Sequence, residues 1–256
     1  MSRNPNIEFD KLQMYFREPY TIDLEDTKGS ITIYQPSIRD LIRIGEIRFF
    51  TSLHFLTTNT TQNRLMLWEL GKDWNEMSDF ELFCLFYKEV DPECSEIFFK
   101  DINLADFGIY QKYNEEIVLY DDKKDVEINE NVYFHISQYL RTMFNLHPEE
   151  QITKDNILKK WFIDKDKRHI NNMKSKESKA DKTESSMVSL VSAYVNHPGT
   201  KYKTSELKDI GVYEFYDAIQ RLQIYESSTA LMKGMYSGMI SAKNIDSESY
   251  NFMRNI

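Results

Sequence analysis

The chain of 256 residues is rich in tyrosine and phenylalanine, 16 of each, and poor in glycine and proline, which favours packed helices over a turn-rich all-β fold. Its net charge of −9 at pH 7 opposes binding to nucleic-acid backbones and anionic lipid surfaces, unless a local basic patch overrides the field. Such an acidic chain is more typical of a protein that contacts other proteins.

Cys84 and Cys94 are the only cysteines and lack Cys-x-x-Cys spacing, so we expect reduced thiols in a cytoplasmic protein. The N-terminal residues contain no apolar run that could act as a secretion signal. No later stretch approaches the ~18 uninterrupted apolar residues of a membrane span. The sequence therefore predicts a protein that stays in the cytoplasm where it is made, without a membrane partner.

Residues 1–172 are predicted to form an N-terminal mixed helical domain with a β-hairpin. Apolar and polar residues alternate in 20–24 and 30–34, which is a hairpin pattern. Ser37 can cap a helix that runs to about Phe55. Further helices are predicted for 64–70, from Ser78, from Asn129 and for 153–171. A second patch of strands is predicted from residues 98–110, 116–120 and 126–128.

Residues 173–186 contain no large apolar side chain after Met173, so this segment cannot bury itself and is predicted to be a charged linker or a frayed helix end. It separates the first domain from a C-terminal helical domain, residues 187–256. There, helices at 187–196 and 204–210 precede a long amphipathic helix from Val212. The predicted fold class is mainly α with small β elements, an α+β arrangement, in the N-terminal part.

The three C-terminal helices have the lengths and the sharp turn of a helix-turn-helix, so a nucleic-acid-binding regulator is one alternative function. The candidate recognition helix would present Glu214 and Asp217 to phosphate with only Arg221 in return. This charge pattern favours helices used for packing, and we predict no nucleic-acid partner.

Four carboxylates in residues 121–127 have the composition of a metal or nuclease cluster: Asp121, Asp122, Asp125 and Glu127. Such a site needs a rigid scaffold, and carboxylates crowded in a turn are more typical of a solvated acidic loop. The five histidines lack metal-ligand spacing, and no glycine-rich phosphate loop or nucleophile elbow occurs. We predict no enzyme, with no catalytic residue, metal or cofactor.

Short strings over nearly the whole chain carry a family resemblance: Tyr34-Gln-Pro-Ser37, Leu67-Trp68-Glu69, Asp79-Phe-Glu-Leu-Phe83, Asn196-His-Pro-Gly199, Arg221-Leu-Gln-Ile-Tyr-Glu-Ser-Ser-Thr-Ala230, Gly234-Met-Tyr-Ser-Gly238 and Asn251-Phe-Met-Arg254. In these strings the chain resembles tail-region proteins of tailed bacteriophages, or prophages, of Gram-positive bacteria, of the tail assembly chaperone class. The resemblance implies a host-cytoplasmic protein that binds the phage tape measure protein and the tail tube protein during virion morphogenesis. A second copy of the chain is a further partner to consider. The alternative role is a structural virion component or connector of the tail.

The candidate partner-binding residues lie in the C-terminal part of the chain: Tyr202, Met232, Met235, Tyr236, Met239 and Arg254. Methionines exposed together with Tyr236 would form a soft, adaptable surface for a helical client. We expect Tyr236 to stand clear because it lies between Gly234 and Gly238, where backbone can approach closely. Arg221 is expected to form a structural pair with a side chain one or two turns away on its own helix.

Overall fold

A computed structural model describes residues 7–24, 29–177, 185–241 and 245–254. Helices dominate, and two small sheets lie in the first half, which confirms the predicted α+β class with a helical C-terminal region. Both sheets are antiparallel, and their strands are β1 (Tyr20–Asp23) with β2 (Ser30–Ile33), and β3 (Gly108–Gln111), β4 (Ile117–Asp121) and β5 (Val126–Ile128) in that order. No helix among the described residues is long and apolar enough to cross a membrane.

The helices of the first two thirds of the chain are α1 (Lys11–Tyr15), α2 (Ile38–Ile44), α3 (Glu46–Thr57), α4 (Arg64–Glu69), α5 (Asp79–Phe86), α6 (Pro92–Phe99), α7 (Glu130–Met143) and α8 (Asn156–Glu177). Polar side chains explain where several of them start. Ser37 forms a capping box with Asp40, Ser78 forms another with Glu81, and Asn129 accepts a backbone amide at the start of α7. The three predicted helix starts are therefore confirmed.

Two predicted elements are wrong in their extent. The helix that starts after Ser37 does not run unbroken to Phe55, because Gly45 has a φ of 93° and separates α2 from α3. Glycine adopts this left-handed region at low cost, whereas a residue with a side chain does not. Phe98 and Phe99 are not strand residues but the buried last turn of α6, and the second sheet starts only at Gly108.

The main core forms between α3 and α7 and is closed by α5 and α6. Phe49 of α3 is completely buried, with its ring 5.6 Å from Phe98 and 5.8 Å from Phe144. Tyr133 of α7 stacks on Phe83 of α5 at 4.5 Å. Each such side chain contributes about 1.5–3 kcal/mol by leaving water, so this aromatic layer is a principal source of stability. A smaller cluster contains Leu67, Trp74, Leu82 and Ile163.

The helices of the last third are α9 (Ser186–Val195), α10 (Thr204–Leu207) and α11 (Val212–Tyr236), close to the predicted positions. They pack against the first half, and Met187, Tyr194 and Phe215 belong to its main buried cluster. Backbone hydrogen bonds also join the last third to the earlier part of the chain. One of them runs from the Val212 amide to the Pro36 carbonyl at 3.0 Å.

Half of the predicted linker, 173–186, falls outside the described residues, because residues 178–184 are not described. Residues 173–177 form the end of α8. The division into domains 1–172 and 187–256 stays a prediction.

Candidate partner-binding surface

The first ten residues of α11, 212–221, are enclosed by other elements. Each of them is buried or partly buried, and none is exposed. The Phe215 ring lies 5.8 Å from Tyr194 of α9, and the Tyr216 ring lies 6.3 Å from Phe144 after α7. A recognition helix must present an exposed face to a nucleic-acid groove. The enclosure of this segment therefore argues against the helix-turn-helix alternative.

Residues 245–254 fold back along the middle of α11. The buried Ser228 hydroxyl donates to the Ser249 carbonyl at 3.4 Å, and Arg221 donates to the Arg254 carbonyl at 2.7 Å. The Arg254 guanidinium in turn donates to the Ser249 carbonyl at 2.7 Å. Side chains of α11 and of this segment thus satisfy backbone carbonyls that lack partners in a helix or a sheet.

Arg221 forms the structural pair with a side chain of its own helix that the sequence predicted. Its guanidinium also lies 3.9 Å from the Asp217 carboxylate, one helical turn away. Partial burial raises the pKa of Asp217, and the positive charge of Arg221 opposes that rise. Arg221 therefore compensates a partly desolvated carboxylate and holds the folded-back segment.

The end of α11 is set by two glycines. Gly238 has a φ of 75°, which reverses the chain and lets the Ile240 amide donate to the Gly234 carbonyl at 3.1 Å. A Cβ atom on Gly234 would lie 2.5 Å from the Ile240 side chain. The close approach expected at Gly234 is therefore observed, and the atoms that approach this glycine belong to the Ile240 side chain.

Four of the predicted partner-binding residues lie together where α11 ends, and we call them the α11 tip: Met232, Met235, Tyr236 and Met239. Tyr236 and Met239 are 88% and 87% exposed, while Met232 and Met235 are partly buried. Residues spaced by four share one face of a helix, which places Met232 beside Tyr236, and Met235 is three residues from Met232. The expected exposure of Tyr236 is therefore observed.

The other two predicted partner-binding residues, Tyr202 and Arg254, lie elsewhere and are engaged internally. The Tyr202 hydroxyl donates to the Glu214 carboxylate, and this hydrogen bond raises the pKa of Tyr202. Tyr236 lies roughly 22 residues beyond Glu214, or about 33 Å at ~1.5 Å per residue. Arg254 is used to hold the folded-back segment. Neither residue contributes to the α11 tip.

Sequence reasoning did not single out two exposed apolar side chains, Phe252 and Met253. Met253 is 71% exposed, and the half-exposed Phe252 ring meets the Tyr225 ring edge-on at 6.4 Å. Both belong to the string 251–254 that contributed to the family resemblance. Four residues are too few to show a hydrophobic period, so the string alone could not distinguish an exposed from a buried position.

The acidic turn differs from the prediction, since it is not solvated throughout. Asp121 and Glu127 are buried by the pairing of β4 with β5, and the Lys112 ammonium lies 2.7 Å from the Glu127 carboxylate. The described residues contain no group of three or more His, Cys, Asp or Glu that could hold a metal ion. Burial raises the pKa of the Cys84 thiol to about 12, so this partly buried cysteine, which packs against the core, is protonated at neutral pH.

Residues 174–256, about a third of the chain, match a protein-family model described as the YomV second domain. The matched region contains α9, α10, α11 and the segment that folds back on α11. The match suggests a phage-related protein of the Bacillus prophage YomV-like kind, in agreement with the phage association of the short strings. No curated protein and no solved structure matches the chain.

Proposed function

We propose that this protein is a tail assembly chaperone that acts in the host cytoplasm and holds the helical tape measure protein through the α11 tip. The exposure of Tyr236 at the end of a helix whose first ten residues are enclosed, and of Met239 just beyond that end, carries the proposal. Single exposed apolar residues are common on proteins. Here two strongly exposed ones, Tyr236 and Met239, lie three residues apart, in the part of the chain that matches a phage-related family.

The side chains of the α11 tip suit a client that varies in sequence. Methionine is unbranched and polarisable, so it adapts to apolar partners of different shapes. Tyrosine adds a large ring with few rotatable bonds and a hydroxyl that can remain hydrated. An amphipathic helix laid along this face would bury its apolar stripe against the tip.

The size of the tip predicts reversible binding. Each large side chain contributes about 1.5–3 kcal/mol when it is fully buried, and two of the four are already partly buried. After the cost of association, such a surface supports affinities nearer micromolar than nanomolar. A client held this weakly can be released when tail tube subunits assemble around it.

The charge of the chain supports a protein partner. A net charge of −9 keeps a complex with an apolar client soluble and repels phosphate backbones. We therefore propose that the protein binds no nucleic acid and performs its role without catalysis or a cofactor.

Mass spectrometry of purified phage particles tests the assignment. An assembly chaperone leaves before the particle is complete, so we expect the protein in infected-cell lysate and not in the particles. Stoichiometric amounts in the particles would assign it instead to the structural components of the tail.

A further inference from the structure

Helix α8 packs against the rest of the protein along one face only. Ile163 is buried there in the smaller core cluster. The charged residues of this face are paired. Asp166 lies 2.5 Å from the Arg64 guanidinium, and the Lys159 ammonium contacts the Asp73 carboxylate. Because residues three or four apart share one face of a helix, the opposite face of α8 remains open to solvent.

This opposite face combines exposed apolar and basic side chains. We call it the basic face of α8, and it consists of Ile157, Leu158, Lys160, Trp161, Lys165 and Arg168. Ile157 is 79% exposed, and Trp161, one helical turn further on, is 49% exposed. The Lys165 ammonium lies 5.4 Å from the centre of the Trp161 ring, where the ring attracts it. From Lys167 to Met173 every residue is exposed, so the helix stands clear of neighbouring described elements there.

The charge of this helix has the opposite sign to that of the chain. Residues 154–168 contain six lysine or arginine side chains and three aspartates, whereas the whole chain has a net charge of −9. Lys160, Lys165 and Arg168 form no ion pair with a carboxylate of the described residues. Three cations beside exposed apolar side chains are therefore available to carboxylates of a partner.

Two aspartates on the same side of α8 disfavour a partner whose surface is rich in phosphate. Asp164 lies one turn before Arg168, and Asp155 accepts the Ile157 amide at 2.7 Å at the start of the helix. A membrane surface or a nucleic-acid backbone presents anionic groups over the whole contact, including these two positions. A protein can instead place carboxylates opposite the cations and neutral residues opposite the aspartates. The charge pattern therefore favours a protein.

We propose that the basic face of α8 binds an acidic amphipathic helix of another protein. The apolar stripe of the partner helix covers Ile157, Leu158 and Trp161, and its carboxylates pair with Lys165 and Arg168. Exposed ion pairs add little affinity, but they select the partner by the sign of its charge. A contact of this size supports binding nearer micromolar than nanomolar. The inference does not depend on the proposed role of the α11 tip.

Isothermal titration calorimetry of the intact protein with three synthetic amphipathic peptides tests this surface. The peptides have equal length and leucines at the same helical spacing, and the positions beside the leucines are Glu, Gln or Lys. We expect the Glu peptide to bind at one site, at least about tenfold more tightly than the Gln peptide, and the Lys peptide not to bind. Added salt should weaken binding of the Glu peptide, because the charges of the basic face are exposed.

A double charge reversal locates the binding site. Lys165→Glu with Arg168→Glu should weaken binding of the Glu peptide by roughly tenfold or more. The matched control is Lys123→Glu with Lys124→Glu, which makes the same change in net charge at two exposed lysines in the turn between β4 and β5. The control should bind like the wild type. Tyr236→Ala should also bind normally, which separates this surface from the α11 tip.

Ile157→Ser keeps the test decisive if the double variant fails to fold, because it replaces a strongly exposed apolar side chain and should also weaken binding. The proposal is overturned if the Glu peptide does not bind, if the Gln peptide binds equally well, or if every folded variant of the basic face binds like the wild type. Phosphatidylserine-containing vesicles and a duplex DNA are the remaining probes. Tighter binding of either than of the Glu peptide overturns the proposal in favour of an anionic lipid or nucleic-acid surface.

Discussion

The core between α3 and α7 and the α11 tip use similar residue types in opposite ways. Phe49 and Tyr133 are enclosed on all sides, whereas Tyr236 and Met239 are almost fully exposed. The difference arises from the surroundings of each helix, because α11 extends beyond the elements that enclose its first ten residues. An aromatic or methionine side chain therefore contributes to stability in one region and is free for a partner in the other.

Phe49→Ala should have the largest effect on folding. It removes a completely buried ring between Phe98 and Phe144 and leaves a cavity. We expect a loss of about 3–5 kcal/mol in the free energy of unfolding, measured by urea denaturation. A loss under ~1 kcal/mol would show that the core is not packed as described.

Gly211→Ala tests how the last third is attached to the core. A Cβ atom there would lie 1.9 Å from the buried Gln35 side-chain oxygen, and Gln35 also donates to the Met14 carbonyl at 2.8 Å. We expect a loss of about 1–3 kcal/mol, as for other overpacked sites. The loss should shrink in a Gln35→Ala background, and an equal loss in both backgrounds would exclude the clash as the cause.

Alkaline pH should weaken the core through its buried tyrosines. Burial raises the pKa of Tyr139 to about 12, with Tyr20 as a second cause. Since this value exceeds the usual pKa of about 10, the unfolded chain loses its proton first, and stability falls from about pH 10 upward. In Tyr139→Phe, the urea midpoint should fall less between neutral pH and about pH 11 than in the wild type. An equal fall would contradict the burial of this hydroxyl.

Cleavage of the predicted linker should have little effect on the assembly of the two regions. Limited proteolysis is expected to cut first within 173–186. The two fragments should co-elute in gel filtration, because Met187, Tyr194 and Phe215 lie in the shared core. Fragments that separate without denaturant would show that this contact is weak.

The sequence predicted helix starts well, because capping is local. Ser37, Ser78 and Asn129 each accept a backbone amide only three residues away. The extents were harder to predict, since Gly45 separates two helices through its φ, and Phe98 and Phe99 form the buried last turn of a helix. Apolar character alone does not distinguish a buried helical turn from a strand.

The candidate surface was predicted only in part, because helical spacing is local whereas the partners of some of its residues are distant in sequence. The spacing of Met232 and Tyr236 indicates a shared helical face, and their position near the end of α11 follows from the glycines. The internal bonds of Tyr202 and Arg254 could not be predicted, since their partners come from another helix and from a backbone reversal.

Co-expression with the tape measure protein of the same phage tests the central claim most directly. The variants are Tyr236→Ala and, as a matched control, Tyr113→Ala, which changes a fully exposed tyrosine in the turn between β3 and β4. Both should keep the wild-type unfolding free energy within about 0.5 kcal/mol. We expect the tape measure protein to stay soluble with the wild type and with Tyr113→Ala, and to precipitate with Tyr236→Ala. Equal client solubility with both variants, or unfolding of Tyr236→Ala, would contradict a client-binding role for the α11 tip.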